Sequence, residues 1–202
     1  MPVFLISFII FVVWLRYEIN KSKKSSDKHH GDFWEREQQS NFSRKADISS
    51  LDYIIVPLDE LPFVHTQEDD LSRIQEQVKL SSQKKLLNLS SSTNTDLKLK
   101  YGTANLSLLS QYDQNYSNFI QNLYKWAKLL YEKGYLAEAE KVLELGITYH
   151  SDISGNYTLL ANLYKDKNDF DSIGKLIKKA EELNTLMKDS IIKSLTKIMN
   201  SF

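Results

Sequence analysis

The chain has 202 residues, enough for one domain of ordinary size with appendages. Its 26 basic side chains balance 26 acidic ones, so it lacks the bulk positive charge with which proteins grip nucleic acid. It contains no cysteine, which excludes disulfides, thiolate metal sites, a cysteine nucleophile and a lipidated cysteine; its 6 glycines and 3 prolines suit a helical chain.

The first element is an apolar run, Pro2 to Leu15, broken only by Ser7. As a helix these fourteen residues cover about 21 Å, short of a bilayer core of about 30 Å. Tyr17 and Ile19 lengthen it to about 27 Å if Arg16 snorkels. Trp14 and Tyr17 stand where interfacial aromatics stand. We read residues 1–19 as a single-pass membrane anchor. A cleaved signal, which would make the protein secreted, ranks second because no basic region precedes the run and bulky residues follow it. A buried core helix ranks third, because every face is apolar. Arg16, Lys21, Lys23, Lys24 and Lys28 all follow the run, so the positive-inside rule sets the N-terminus outside and the rest in the cytoplasm.

Residues 20–65 read as a juxtamembrane tether that becomes an extended or partly helical segment. His29 and His30 are adjacent and do not share a face as metal ligands do, so they belong to the solvated tether. Phe33 and Trp34 open an aromatic-rich stretch, and Leu51 to Leu61 has a β-branched centre ended by Pro57. Its apolar residues must bury against the helical part of the chain. The block from Asp32 to Phe63 resembles a segment of uncharacterised small membrane proteins of anaerobic Gram-positive bacteria, a resemblance that implies location and no activity.

Residues 66–110 hold an amphipathic helix and a loop. Thr66 and Asp69 form a capping-box-like start, and Leu71, Ile74, Val78 and Ser82 mark one face. Ser90 to Asp96 is a loop by composition, and Gly102 suggests a break.

Residues 111–202 carry an internal repeat. Leu123, Trp126, Ala127, Leu130, Gly134, Leu136, Ala139, Leu143 and Gly146 recur 34 residues on as Tyr157, Leu160, Ala161, Tyr164, Asn168, Phe170, Ile173, Ile177 and Ala180. Ala127, Ala161 and Ala139 permit close helix approach, and Gly134 and Asn168 suit a left-handed turn. The pattern resembles the tetratricopeptide repeat family over two units, from Leu123 to Ser151 and from Tyr157 to Thr185. It departs from that family at Ile173, where alanine is usual, and at Ser151 and Thr185, where proline is usual. Met187, Ile191, Leu195, Ile198 and Phe202 form one face of a final helix that caps the stack. The expected fold is therefore all-α: a transmembrane helix, a tether and a tetratricopeptide-like hairpin domain with a C-terminal capping helix.

No phosphate loop, zinc spacing or nucleophile elbow occurs, and His65 and His150 are isolated. Asp166, Asp169 and Asp171 flank a helix start, where capping explains them. We therefore expect no catalytic, cofactor or metal residues, no nucleic acid and no small-molecule substrate. The resemblance implies a membrane-anchored adaptor that binds a protein partner through the first helix of each hairpin. Asn122, Lys125 and Lys128 in the first repeat, with Asn162 and Lys165 in the second, are the polar residues that packing does not require. The alternative is a structural accessory subunit of a larger membrane complex, contacting it through Phe33, Trp34 and the segment from Tyr53 to Phe63.

Overall fold

The computed structural model describes residues 2–201, with side chains throughout except at residues 2, 3, 5 and 22–30. The described chain is all-helical. The helices are α1 (Pro2–Asn41), α2 (Asp69–Ser82), α3 (Asn94–Tyr101), α4 (Leu106–Glu132), α5 (Leu136–Thr148), α6 (Ser154–Asp166), α7 (Phe170–Glu181) and α8 (Lys188–Met199). Short 3₁₀ turns stand at Leu58–Glu60 and Thr103–Asn105.

The membrane anchor is overturned. Among the described residues no helix is long and apolar enough to cross a membrane. The helix α1 has length in plenty, 40 residues, but its apolar run stops at Leu15. Arg16, Glu18 and Lys21 follow within two turns, and Glu18 pairs with Lys21 at 3.9 Å. Reaching a full span means burying Arg16 and Glu18 together, which the hydrocarbon core penalises. The single-pass location, the outward N-terminus and the cytoplasmic placement fall with the anchor. The residues read as a tether are part of α1 as well. The side chains of His29, His30, Lys23, Lys24 and Lys28, and all of Phe202, lie outside the described residues.

The chain forms two compact units: Met1–Asp47 with Asn94–Leu106, and Ile48–Thr93 with Ser107–Phe202. In the first unit, α1 and α3 are joined by polar contacts. Glu37 accepts hydrogen bonds from Lys98 and, at 2.7 Å, from Thr95. Lys98 also reaches Asn41 at 3.0 Å, and Arg36 pairs with Asp96. Gly102 has φ +86°, and a Cβ there would collide with the Arg44 carbonyl. Asn105 is buried and donates to the carbonyls of Ala46 (2.8 Å) and Tyr101 (2.7 Å).

The second unit surrounds an apolar core. Phe119, Leu123, Trp126 and Leu130 of α4 are fully buried, as are Leu143 of α5, Leu160 of α6, Ile173 of α7 and Ile191 of α8. Ala127, Ala139, Ala161 and Ala180 are also fully buried and let the helices approach. Gly146 meets Asn156 so closely that a Cβ there would stand 2.6 Å from its Oδ1. The helices α4 and α5 join through Gly134 (φ +84°), α5 and α6 through His150 (φ +61°), and α6 and α7 through Asn168 (φ +58°). All three turns are Schellman motifs. Tyr135 N–H donates to the Leu130 carbonyl at 2.9 Å, Ser151 to Gly146 at 2.9 Å and Asp169 to Tyr164 at 2.8 Å. The first and third turns stand 34 residues apart, as do the ends of α4 and α6 and the starts of α5 and α7. Asp169 caps α7, its side chain accepting from Ser172 N–H at 3.0 Å. α8 packs against α6 and α7, burying Ile191 and Leu195.

The segment before α2 is an extended strap belonging to this core. Val56 and Leu61 are buried, Ile54 N–H donates to the Leu86 carbonyl at 3.0 Å, and Phe63 stacks on Trp126 at 5.1 Å. The capping box expected at Thr66 does not form. The helix begins at Asp69, and Thr66 instead accepts from Glu68 N–H at 3.1 Å.

Candidate functional site

α2 and α4 run antiparallel within the second unit. As the chain advances from Glu68 to Leu89, the residues it meets move back from Lys133 to Asp113. Glu68 pairs with Lys133, Ser81 lies 3.5 Å from Asn122, the Lys85 carbonyl accepts from Asn115 at 3.1 Å, and Leu89 N–H donates to Asp113 at 2.9 Å. Their inner faces enter the core and their outer faces border an open groove of about 430 Å³.

The two walls have the same spacing. From α4 come Asn118, Gln121, Asn122 and Lys125; from α2 come Gln77, Leu80 and Ser81, with Lys84 just past its C-cap. Both sets fall at i, i+3, i+4 and i+7, which gathers them on one helix face. Lys84 stays on that face because its N–H donates to the Ser81 carbonyl at 3.3 Å. The antiparallel arrangement sets Lys125 opposite Gln77 at one end and Lys84 opposite Asn118 at the other.

No carboxylate lines the groove. Neighbouring lysines are occupied: Lys79 lies over the Phe63 ring at 4.8 Å, Lys85 over the Tyr53 ring at 4.6 Å, and Lys128 pairs with Glu132 at 3.7 Å. Among the described residues, Lys84 and Lys125 have no carboxylate within ion-pair distance, and the amides of Gln77 and Gln121 have no hydrogen-bond partner. The groove therefore offers two cations and several amide donors and acceptors to an incoming polar, negatively charged group.

Of the residues expected from sequence, Asn122 and Lys125 line this groove. Lys128 is tied to Glu132, and Asn162 is exposed on α6. Lys165 bonds the carbonyl and hydroxyl of Ser201 at 3.3 and 2.9 Å, so it clasps the end of the capping helix. Of the five, Asn122 and Lys125 share the groove wall. Sequence reasoning missed Gln77, Ser81, Lys84, Asn118 and Gln121. Their spacing was visible, but the pairing of α2 with α4 is a tertiary fact.

Other hollows in this unit include two of different character. One of about 290 Å³ is lined by Asp52, His150, Glu182 and Thr185, and no hydrogen bond links its titratable side chains among the described residues. The other, about 150 Å³, is an apolar crevice with Leu160, Leu176 and Ile147 in its walls. Tyr164 lines this crevice, and burial with the Glu144 contact raises its phenol; burial also pushes the Tyr157 phenol of the same helix up to about 12. The chain matches no family model, no curated protein and no solved structure.

Proposed function

We propose that the chain is a helical interaction module of the tetratricopeptide-like kind, which binds a polypeptide partner in the groove between α2 and α4 and performs no catalysis. The observation that carries this reading is the groove itself: two lysines without carboxylate partners and two glutamine side-chain amides without hydrogen bonds, among the described residues, around one open channel. The 34-residue recurrence of the hairpin turns supports it, since stacked hairpins serve binding more often than chemistry. Selection of random short peptides against the full chain should return acidic sequences. A chain carrying Lys84→Glu and Lys125→Glu should fail to bind them while keeping its helical content by circular dichroism. Equal capture by both chains rejects the groove.

A second reading, a structural accessory subunit of a larger assembly, is favoured by one feature. In α1 the apolar side chains of Phe4, Phe8, Phe11 and Trp14 are exposed, as are those of Phe33 and Trp34. Contiguous apolar surface of this kind marks a contact region. The segment from Tyr53 to Phe63 does not share that role, because Val56 and Leu61 are buried within the chain's own core. This reading expects Phe8→Ser with Trp14→Ser to release the chain from its assembly in gel filtration of a native extract; an unchanged elution volume rejects it.

A further inference from the structure

The strap before α2 shows how this molecule holds extended backbone. Gln75, buried on the inner face of α2, presents its amide edge-on to Val64. Its Oε1 accepts from Val64 N–H at 2.7 Å, and its Nε2 donates to the Val64 carbonyl at 3.0 Å. One glutamine thus satisfies both polar groups of one residue, as a neighbouring strand would. Gln77 is two residues further along the same helix, about 200° around it, and so belongs to the outer face. There it borders the groove with Gln121, and neither amide has a partner among the described residues.

The lysines add a length. Seven residues separate Asn118 from Lys125, which is about 10 Å along the helix axis. Lys84 stands at the Asn118 end on the other wall, so the two cations are about 10 Å apart along the groove and on opposite sides of it. An extended peptide advances about 3.3 Å per residue, so three residues cover that distance. Side chains three residues apart in a strand point to opposite faces, which matches cations on opposite walls.

We propose that the groove holds an extended acidic segment of a partner polypeptide, with carboxyl side chains three residues apart on Lys84 and Lys125 and the backbone clasped by Gln121 between them and by Gln77 at the Lys125 end. This inference rests on the reading of the groove as a polypeptide site and adds the conformation and charge spacing of the occupant. Recognition is by main chain and charge, so the residues between the two acids are free to vary.

The experiment is a fluorescence-anisotropy titration of the full chain with labelled decapeptides of serine, threonine and valine. The peptide with two glutamates three residues apart should bind about tenfold more tightly than its diglutamine counterpart, the scale of two exposed ion pairs. The isomer with adjacent glutamates and the peptide N-methylated between its glutamates should both bind more weakly. Gln77→Leu with Gln121→Leu should remove the sensitivity to N-methylation, and Lys84→Glu with Lys125→Glu should remove the sensitivity to charge. If the adjacent-glutamate and N-methylated peptides bind as well, the extended arrangement is overturned and the polypeptide groove stands. Tighter binding of a helix-locked peptide with glutamates seven residues apart, which also spans about 10 Å, overturns it in favour of a helical occupant. Binding of none of these peptides, or equal binding of a single-stranded oligonucleotide, overturns both the arrangement and the groove reading.

Discussion

The two units reach order by opposite means. Around α3 the first unit buries one large apolar side chain among its described residues, Leu97, alongside the polar Ser40 and Asn105. Its helices are held by Glu37, Lys98, Thr95, Arg36 and Asp96, groups that also interact well with water. The second unit hides Trp126, Phe119, Tyr157 and a run of leucines and isoleucines, and uses small residues to bring the helices together. The first is therefore the unit that solvent conditions should govern, and the second the unit that volume should govern.

The largest effect should come from emptying the second core. Trp126 is fully buried and stacked on Phe63, so Trp126→Ala should cost about 3–5 kcal/mol in chemical denaturation. A loss under ~1 kcal/mol would show that this unit is not organised around a packed core. Overfilling comes next. Ala161 is fully buried in α6, and Ala161→Phe should cost about 1–3 kcal/mol and lower the melting temperature. An unchanged melting temperature would count against the close approach of the hairpin helices. In the first unit, Gly102→Ala forces a left-handed alanine against the Arg44 carbonyl, costing at least ~1–2 kcal/mol locally. Amide exchange should then quicken in α3 while α6 to α8 keep their protection; uniform loss would erase the distinction between the units.

The smallest effect is of pH, and its sign differs between the units. The hydrogen bond from Lys98, then that from Thr95, holds the Glu37 carboxyl below its ordinary value. A depressed carboxylate stabilises the folded state above its ordinary value, and that contribution is lost as pH falls through the folded one. Acid should therefore loosen α1 from α3 first. Burial, then the charges of Asp152 and Glu182, raises the Tyr157 phenol from 10 to about 12. A raised acid group stabilises the fold below its ordinary value, and that contribution fades between about 10 and 12 as pH rises. Alkali should loosen α6 to α8 first. Amide exchange at both extremes checks the pair; the same unit opening first at each would contradict the contrast.

Local chemistry was legible in the sequence. Gly134 and Asn168 take the left-handed conformations their residue types favour, and Asp169 caps the helix that follows. The apolar strap from Ile54 to Phe63 goes into the core, as its hydrophobicity requires. Illegible features depended on something beyond the local segment. The apolar start of α1 reads as an anchor until Arg16 and Glu18 are weighed against the length needed, and the polar stretch after it has no apolar period to signal helix. The left-handed turn at His150 has no glycine to announce it. Lys165 reads as a surface cation, yet it bonds Ser201, 36 residues away. The groove was half visible, in Asn122 and Lys125; its other wall depends on contacts such as Asn115 to Lys85, across 30 residues.

The outer faces of α2 and α4, and not the exposed face of α6, are proposed to receive the partner. Amide hydrogen exchange of the full chain, with and without a saturating diglutamate peptide, tests it most directly. Added protection is expected across Gln77 to Lys84 and Asn118 to Lys125, with no change around Asn162 and Lys165. Protection confined to α6 and α8 would contradict it.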